Sequence, residues 1–332
     1  MEELFKKICN NYKLGSYINC NEIIGGLTNK MYKLETDKGI FAIKILNYDS
    51  LNNNSNLYNK IEKSEEIANK AYDNGINAVC AYKFNNKYIQ KLDDNYILIY
   101  NWCNGIVFKT KELTLEHVRI LANNLAKLHS IKVNEKVNNS IYKKIDYKYY
   151  YDLLKDNNEK WSKLFRDKIN DLINLYDKVY DSYLKLSNQV SYVHKDYNRR
   201  NVLWDKDIPH IIDWETATIS NPSIDFFNSA WFLTNDVQID KYEVFVKEYF
   251  SIMKLEDDKS TSAYASIIEE CNWLEFSLKR ALSIHSNNID EINLGKESIK
   301  NSLTEILNYY DKMPLMIEIM RNIENDISFK SK

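Results

Sequence analysis

The sequence predicts an α+β chain: a small antiparallel β-rich lobe followed by a larger, mainly helical one. Three observations carry this. Apolar and polar residues alternate in several short runs near the start, the pattern of half-buried strands. From Thr114 onward the apolar spacing becomes helical. A short β island, Tyr192–Trp214, interrupts the helical half. The length of 332 residues suits two domains at roughly 150 residues each. The natural division falls near Asn101–Gly105, giving an N-lobe over 1–102 and a C-lobe over 103–332.

Residues 1–20 read as a short helix or lead-in. Asn21–Thr36 alternates on both sides of Gly25-Gly26, which predicts a hairpin with a glycine turn. Thr36-Asp37-Lys38-Gly39 is a second turn. It leads into Ile40-Phe41-Ala42-Ile43-Lys44-Ile45-Leu46, a strand interrupted by one lysine. Three antiparallel strands are therefore expected before Asn47. Over 56–74, Ile61, Ile67, Ala68, Ala71 and Tyr72 recur at helical spacing, and Gly75 is placed to stop that helix. Two more strand-like runs follow, around Lys87–Gln90 and Tyr96–Tyr100. Leu121, Leu125 and Leu128 line a helix ending near His129. The stretches 145–187, 240–253, 261–285 and 296–325 also read as helices.

Composition narrows the function classes. Lys+Arg is 45 against 47 Asp+Glu, a net charge of −2, which disfavours a general nucleic-acid binder that must neutralise phosphates. With 7 Gly and 3 Pro, collagen-like and proline-rich classes are excluded. The longest apolar run is too short to span a bilayer, and the charged start, MEELFKKICN, does not read as a signal peptide. The five cysteines are scattered, without CxxC spacing, so a disulfide framework or zinc site is not expected. A cytoplasmic location is the simpler expectation.

The most informative segment is Tyr192-Val193-His194-Lys195-Asp196-Tyr197-Asn198-Arg199-Arg200-Asn201-Val202-Leu203-Trp204, followed by His210-Ile211-Ile212-Asp213-Trp214-Glu215. A hairpin from Val202 to Ile212, turning at Asp205–Pro209, brings Asn201 and Asp213 to the same end. Asp196, Asn201 and Asp213 then supply oxygen ligands of the kind that suit Mg²⁺. A carboxylate left off the metal can accept a hydroxyl proton. These are the parts of a phosphoryl-transfer site.

His194-x-Asp196-x-x-x-x-Asn201 with Ile212-Asp213 resembles the catalytic loop and metal strand of the aminoglycoside phosphotransferase and choline kinase superfamily. The resemblance covers most of the chain. Gly25-Gly26-Leu27-Thr28-Asn29 resembles that family's phosphate loop, Ala42-Ile43-Lys44 its phosphate-contacting lysine, and Leu128-His129 a helix end. Asn221-Pro222-x-x-Asp225 resembles the segment after the metal site. The resemblance implies a bilobal, protein-kinase-like fold and a small-molecule kinase using ATP or GTP with Mg²⁺. It makes Asp196 the catalytic base and Asn201 and Asp213 the metal ligands. Gly25, Gly26, Thr28, Asn29 and Lys44 are placed on the nucleotide phosphates. Tyr100 and Trp102 form the adenine hinge through their backbone, and a helix glutamate holds Lys44: Glu65, with Glu62 and Glu66 as rivals. His194 and Asp225 are expected to support the catalytic loop. Two departures, Trp214-Glu215 in place of Phe-Gly and a phosphate loop without Gly-x-Gly-x-x-Gly, fit small-molecule kinases better than protein kinases. Lys195 either touches the γ-phosphate or is solvated.

The acceptor is expected to be a small molecule bearing a hydroxyl, with neither nucleic acid nor membrane as partner. On the predicted helix through Ile268–Arg280, Glu269, Trp273, Phe276 and Arg280 share a stripe, with Glu270 beside it. Carboxylates beside an aromatic face suit a cationic acceptor, with Glu269, Glu270 and Trp273 as its residues. The competing reading, favoured by the usual burial of large aromatics, makes Trp273 and Phe276 core and the glutamates solvated. Trp231 is expected in the core. The resemblance leans to aminoglycoside phosphotransferases over choline or ethanolamine kinases. A catalytically silent, coat-associated binding protein is the reading from another class; retention of Lys44, Asp196, Asn201 and Asp213 weighs against it.

Overall fold

The computed structural model describes residues 1–23, 29–47, 55–135, 142–284 and 287–330. The chain divides into two compact units. The first comprises Met1–Glu112, Lys127–Ile131 and Tyr192–Ile219; the second comprises Leu113–Ala126, Lys132–Ser191 and Ser220–Lys332. The catalytic-loop segment thus groups with the N-terminal sheet, not with the helices that flank it in sequence.

In the first unit, helix α1 (Glu2–Asn11) precedes strands β1 (Tyr17–Ile23), β2 (Lys30–Thr36) and β3 (Gly39–Leu46). Helix α2 (Ser55–Asp73) is followed by β4 (Gln90–Leu92) and β5 (Asn95–Asn101). The sheet order is β1-β2-β3-β5-β4, antiparallel throughout. Alternation along the strands gives the sheet two apolar faces. Phe41 and Ile43 of β3, with Ile97 and Ile99 of β5, join Tyr32, Leu34 and the α1 residues Phe5, Ile8 and Cys9. On the opposite face Leu46 and Leu98 join Ile61 of α2, Ala81, Tyr88 and Ile89. Each fully buried Leu or Ile contributes about 1.5–3 kcal/mol. Lys44 pairs with Leu98 in register, so the period of two puts it on the α2 face.

Helix α2 ends as its sequence predicts. Gly75 has φ +82°, its N–H donates to the Tyr72 carbonyl (3.0 Å), and the Ile76 N–H reaches back to Ala71 (3.1 Å). This is a Schellman stop, which favours glycine at the left-handed position. Ile61, Ile67, Ala68 and Ala71 are buried as expected, but Tyr72 is exposed. β4 starts at Gln90, later than the predicted run, because Lys87 is engaged in a local bridge with Phe84.

Strand β6 (Ser191–Val193) pairs with β9 (Thr218–Ser220), and β7 (Val202–Asp205) pairs with β8 (Ile208–Ile211). The β7–β8 turn is tighter than predicted: Ile208 and Pro209 lie in the strand, opposite Asp205 and Trp204. The hairpin is tied to the segment after α2. Val79 donates to the Ile211 carbonyl and Ile211 to the Asn77 carbonyl, both at 2.8 Å.

Helix α3 (Leu115–Ser130) buries Leu121, Leu125 and Leu128. In the second unit, α4 (Tyr147–Leu153), α5 (Lys160–Asp167), α6 (Ile169–Leu184), α7 (Pro222–Leu233) and α8 (Ile239–Phe250) are followed by α9 (Lys259–Ser266), α10 (Ile268–Ala281) and α11 (Ile289–Lys330). The predicted helix over 261–285 is therefore two helices, joined at Ile267. Tyr147, Tyr176, Phe226, Trp231, Tyr242 and Phe245 are core. Asn221 caps α7 through the Ser223 N–H (2.8 Å), with Pro222 in the first turn. Asp257 then gathers the Ser187 N–H (2.6 Å) and the Asn221 amide (2.9 Å). Asp225 is buried in the first turn of α7. Among the described residues no helix is long and apolar enough to cross a membrane, and the five cysteines are free thiols.

Candidate active site

The expected site residues described in the first unit come from five segments: Asn29 just before β2, β3, α2, the end of β5, and the catalytic loop with its hairpin. Asp196 sits in the loop after β6. Its Oδ2 accepts from the Asn201 side-chain amide at 2.7 Å, and its Oδ1 from the Asn198 amide at 2.5 Å. Asn201 Nδ2 also donates to the Asp196 carbonyl (2.9 Å). Both partners only accept, so this fixes the amide orientation and leaves Asn201 Oδ1 for another ligand. Burial, the largest cause, pushes the Asp196 carboxyl up and Asp213 adds to the rise, while the Asn201 hydrogen bond and Arg200 pull it down.

The hairpin delivers Asp213 beside this loop. Ile212 N–H donates to the Asn201 carbonyl at 3.0 Å, so the two ends of the hairpin meet. Asp213 itself is left-handed, with φ 60° and ψ 60°. Its Oδ1 lies 3.2 Å from Lys44 Nζ across 169 positions of sequence. Glu215, in the turn Trp214–Thr216, also contacts Lys44 Nζ, and accepts from the Asn29 amide at 3.2 Å on each oxygen. Asn29 Oδ1 in turn accepts from the Asn47 N–H (3.2 Å). Glu215 was visible in the sequence only as a departure from Phe-Gly; its position two residues past a left-handed aspartate is what turns it toward Lys44.

Glu65 differs from expectation. Lys44 is 8% exposed and ion-paired with Asp213 and Glu215, whereas Glu65 accepts from the Tyr100 hydroxyl (2.6 Å) and the Ala81 N–H (3.3 Å). The reason is alternation on β5: Tyr100 shares the α2 face with Lys44 and reaches the carboxylate first. Burial pushes Glu65 up to about 7, although Lys44 is near enough to pull it down. The rivals are engaged elsewhere. Glu62 accepts from the Tyr88 and Ile89 N–H groups, and Glu66 pairs with Lys63 and Lys70.

At the hinge, Tyr100 pairs with Ala42 in the sheet, and the Trp102 N–H donates to the Ile40 carbonyl (3.1 Å). The Trp102 donor expected to meet adenine is thus committed to the sheet edge. Gly25, Gly26 and Thr28 lie outside the described residues. His194 is fully buried: Nδ1 accepts from the Asp196 N–H (3.3 Å), so Nε2 carries the proton that bonds the Ile212 carbonyl (3.2 Å). Its ring packs on Trp214 with centroids 4.6 Å apart. Lys195 has a left-handed backbone and is half-buried.

The acceptor candidates lie in the second unit, and their burial is the reverse of the favoured reading. Trp273 is 40% exposed and Phe276 41%, with ring centroids 5.4 Å apart and Arg280 over the Phe276 face at 4.9 Å. Glu269 and Glu270 are half-buried. Glu269 accepts from the Tyr142 hydroxyl (2.9 Å). Glu270 bonds Ser302, and burial pushes it up to about 7. The helix stripe was legible, but which side faces α11 was not. Trp231 is buried as expected.

Oxygen donors alone suit the hard cation that phosphoryl transfer uses. Among the described residues no group of three His, Cys, Asp or Glu side chains forms a metal site of its own. The available set is Asn201 Oδ1 and the Asp213 carboxylate, and Mg²⁺ is commonly held by one or two carboxylates together with substrate phosphates. The residues present fit that ion.

Comparison with solved structures shows a kinase-like fold. The spectinomycin phosphotransferase APH(9)-Ia, solved with ADP and spectinomycin, has a TM-score of 0.66 at 17% identity, covering 96% of this chain and 98% of that one. The choline kinase of Cryptosporidium parvum Iowa II has a TM-score of 0.59 at 16% identity, covering 97% and 99%. The amicoumacin kinase hAmiN, solved with AMP-PNP, Ca²⁺ and Ami, has a TM-score of 0.58 at 14% identity, covering 89% and 92%. No curated protein matches the sequence. The family model described as "Phosphotransferase enzyme family" (APH) matches residues 19–261, and the chain is a member of that family.

Proposed function

We propose that this protein transfers the γ-phosphate of ATP to a hydroxyl of a small molecule, with Asp196 as the base. The observation that carries the reading is the meeting of Lys44 with Asp213 and Glu215, in the same unit as an Asp196 gripped by Asn201. Lysine, metal-type oxygen donors and a carboxylate base are the parts that phosphoryl transfer needs.

Lys44 neutralises charge on the α- and β-phosphates, and Asn29 stands at the end of the phosphate loop. Adenine meets the chain at the end of β5, through backbone groups other than the committed Trp102 N–H. Asn201 and Asp213 would hold Mg²⁺, which when bound offsets phosphate charge. Asp196 orients the acceptor hydroxyl and takes its proton. His194 fixes the loop through its two ring nitrogens. Catalysis is then mainly positioning and electrostatics. The nucleotide in this reading is supported by the ADP and AMP-PNP bound to two of the similar structures.

The acceptor is an aminoglycoside-like polyol amine in the first reading. Choline or ethanolamine is the second, favoured by the exposed Trp273 face, since aromatic faces attract quaternary ammonium groups. Both place a cationic small molecule near Glu269 and Trp273. A coupled ADP-release screen with Mg²⁺ against aminoglycosides, choline, ethanolamine and simple sugars tests both. Release stimulated by one acceptor class names it. Silence with every acceptor and no basal ATP hydrolysis would instead favour a kinase-fold binding protein.

A further inference from the structure

Asn198 stands two residues past Asp196 and was assigned no role by the sequence motif. It is 3% exposed, and its side chain is used at both ends. Oδ1 accepts from the Arg200 N–H at 2.9 Å, capping the turn Arg199–Asn201. Nδ2 donates to Asp196 Oδ1 at 2.5 Å. The orientation is unambiguous: a backbone N–H only donates and a carboxylate oxygen only accepts. Asn201 holds the other oxygen, Oδ2, at 2.7 Å. The Asp196 carboxylate is therefore clamped between two amides, one on each oxygen, and cannot turn about its last bond without breaking a charge-assisted hydrogen bond.

We propose that Asn198 is a positioning residue that fixes the rotation of the Asp196 carboxylate toward the acceptor hydroxyl; this rests on the phosphotransferase reading above. Asn201 alone leaves Oδ1 without a second anchor. Asn198 supplies it, and because the same side chain caps the Arg199–Asn201 turn, the orientation of the base is coupled to the turn that carries the metal-ligand candidate Asn201. A base displaced by about 1 Å costs on the order of 100-fold in rate, so the clamp is worth that much.

Two substitutions separate positioning from capping. Asn198→Asp keeps an oxygen for the Arg200 N–H, and so the cap, but replaces the donor facing Asp196 with a repelling carboxylate. The second carboxylate beside Asp196 is expected to lower the melting temperature while the kept cap leaves the protein folded, with a KM for ATP within about threefold and kcat lowered at least 100-fold. Wild-type kcat in Asn198→Asp overturns the proposal and leaves Asn198 a cap. A crystal structure of Asn198→Ala reads the geometry without turnover. An Asp196 carboxylate rotated off the Asn201 amide supports the clamp; one in its original orientation overturns it. Failure of the underlying reading is distinguishable, because wild-type protein would then release no ADP with Mg²⁺ and any acceptor, whatever the Asn198→Ala structure shows.

Discussion

Replacing Glu270 by Gln should stabilise the protein in a pH-dependent way. Glu270 lies on α10, half-buried, bonded to Ser302, with the Glu305 carboxylate adding negative charge. Burial, the larger cause, raises it from 4.5 to about 7. The folded state therefore holds this proton where the unfolded chain releases it. The stabilisation from the neutral carboxyl is fully present below 4.5 and is lost as pH rises through about 7. A rise from 4.5 to about 7 corresponds to about 3 kcal/mol. Gln keeps an acceptor for Ser302 and never ionises. Its advantage over wild type should be about 1 kcal/mol at pH 5 and about 3 kcal/mol at pH 8. For 332 residues the unfolding entropy is roughly 0.7 kcal/mol/K, so the melting temperature should rise by about 1 °C at pH 5 and about 4 °C at pH 8. Thermal unfolding of both proteins at the two pH values measures this. An equal difference at both, or a variant less stable at pH 8, would refute the assignment of a neutral, half-buried Glu270.

The remaining predictions concern the candidate active site. Asp196→Asn should lower kcat by about 10²–10⁴-fold while nucleotide affinity, read by calorimetry, stays near wild type; unchanged turnover would remove Asp196 as the base. Lys44→Ala should raise KM for ATP by roughly 10–150-fold, the equivalent of losing one charge-assisted hydrogen bond of about 1.5–3 kcal/mol; steady-state kinetics over a range of ATP decide it. Asp213→Ala should abolish the Mg²⁺ dependence of nucleotide binding, and an unaltered Mg²⁺ titration would count against its place as a ligand.

Local rules made the framework legible. The turn at Thr36–Gly39, the lysine within β3, and Gly75 as the stop of α2 each follow from short-range residue chemistry. So does the hairpin that joins Asn201 to Asp213. What the sequence hid was partner choice across long separations. Helical register made Glu62, Glu65 and Glu66 comparable candidates for Lys44; deciding among them requires knowing that Tyr100 shares the α2 face and that Glu215 turns inward. The acceptor stripe shows the same limit. Spacing put Trp273 and Phe276 together, but the packing of α10 against α11 decided that Glu270 turns inward and the aromatics outward. Asn198 carried no signal because its role depends on where a backbone N–H and a carboxylate lie in space.

The backbone of Asp213 shows how the fold holds the site against local preference. A non-glycine residue at φ 60° and ψ 60° costs on the order of 1–2 kcal/mol, though aspartate tolerates it better than most. Such a conformation persists only where its neighbours over-determine it. Before Asp213, the Ile212 N–H is fixed to the Asn201 carbonyl (3.0 Å). After it, Trp214 Nε1 donates to the Ile211 carbonyl (3.0 Å) and the Ala217 N–H to the Trp214 carbonyl (2.8 Å). The turn Trp214–Thr216 packs against α2, and Thr216 Oγ1 donates to the His194 carbonyl (2.8 Å). Glycine at 213 would adopt the conformation without strain, yet would remove the carboxylate. The strained aspartate is therefore better explained by what its side chain does at Lys44 than by what its backbone contributes to stability.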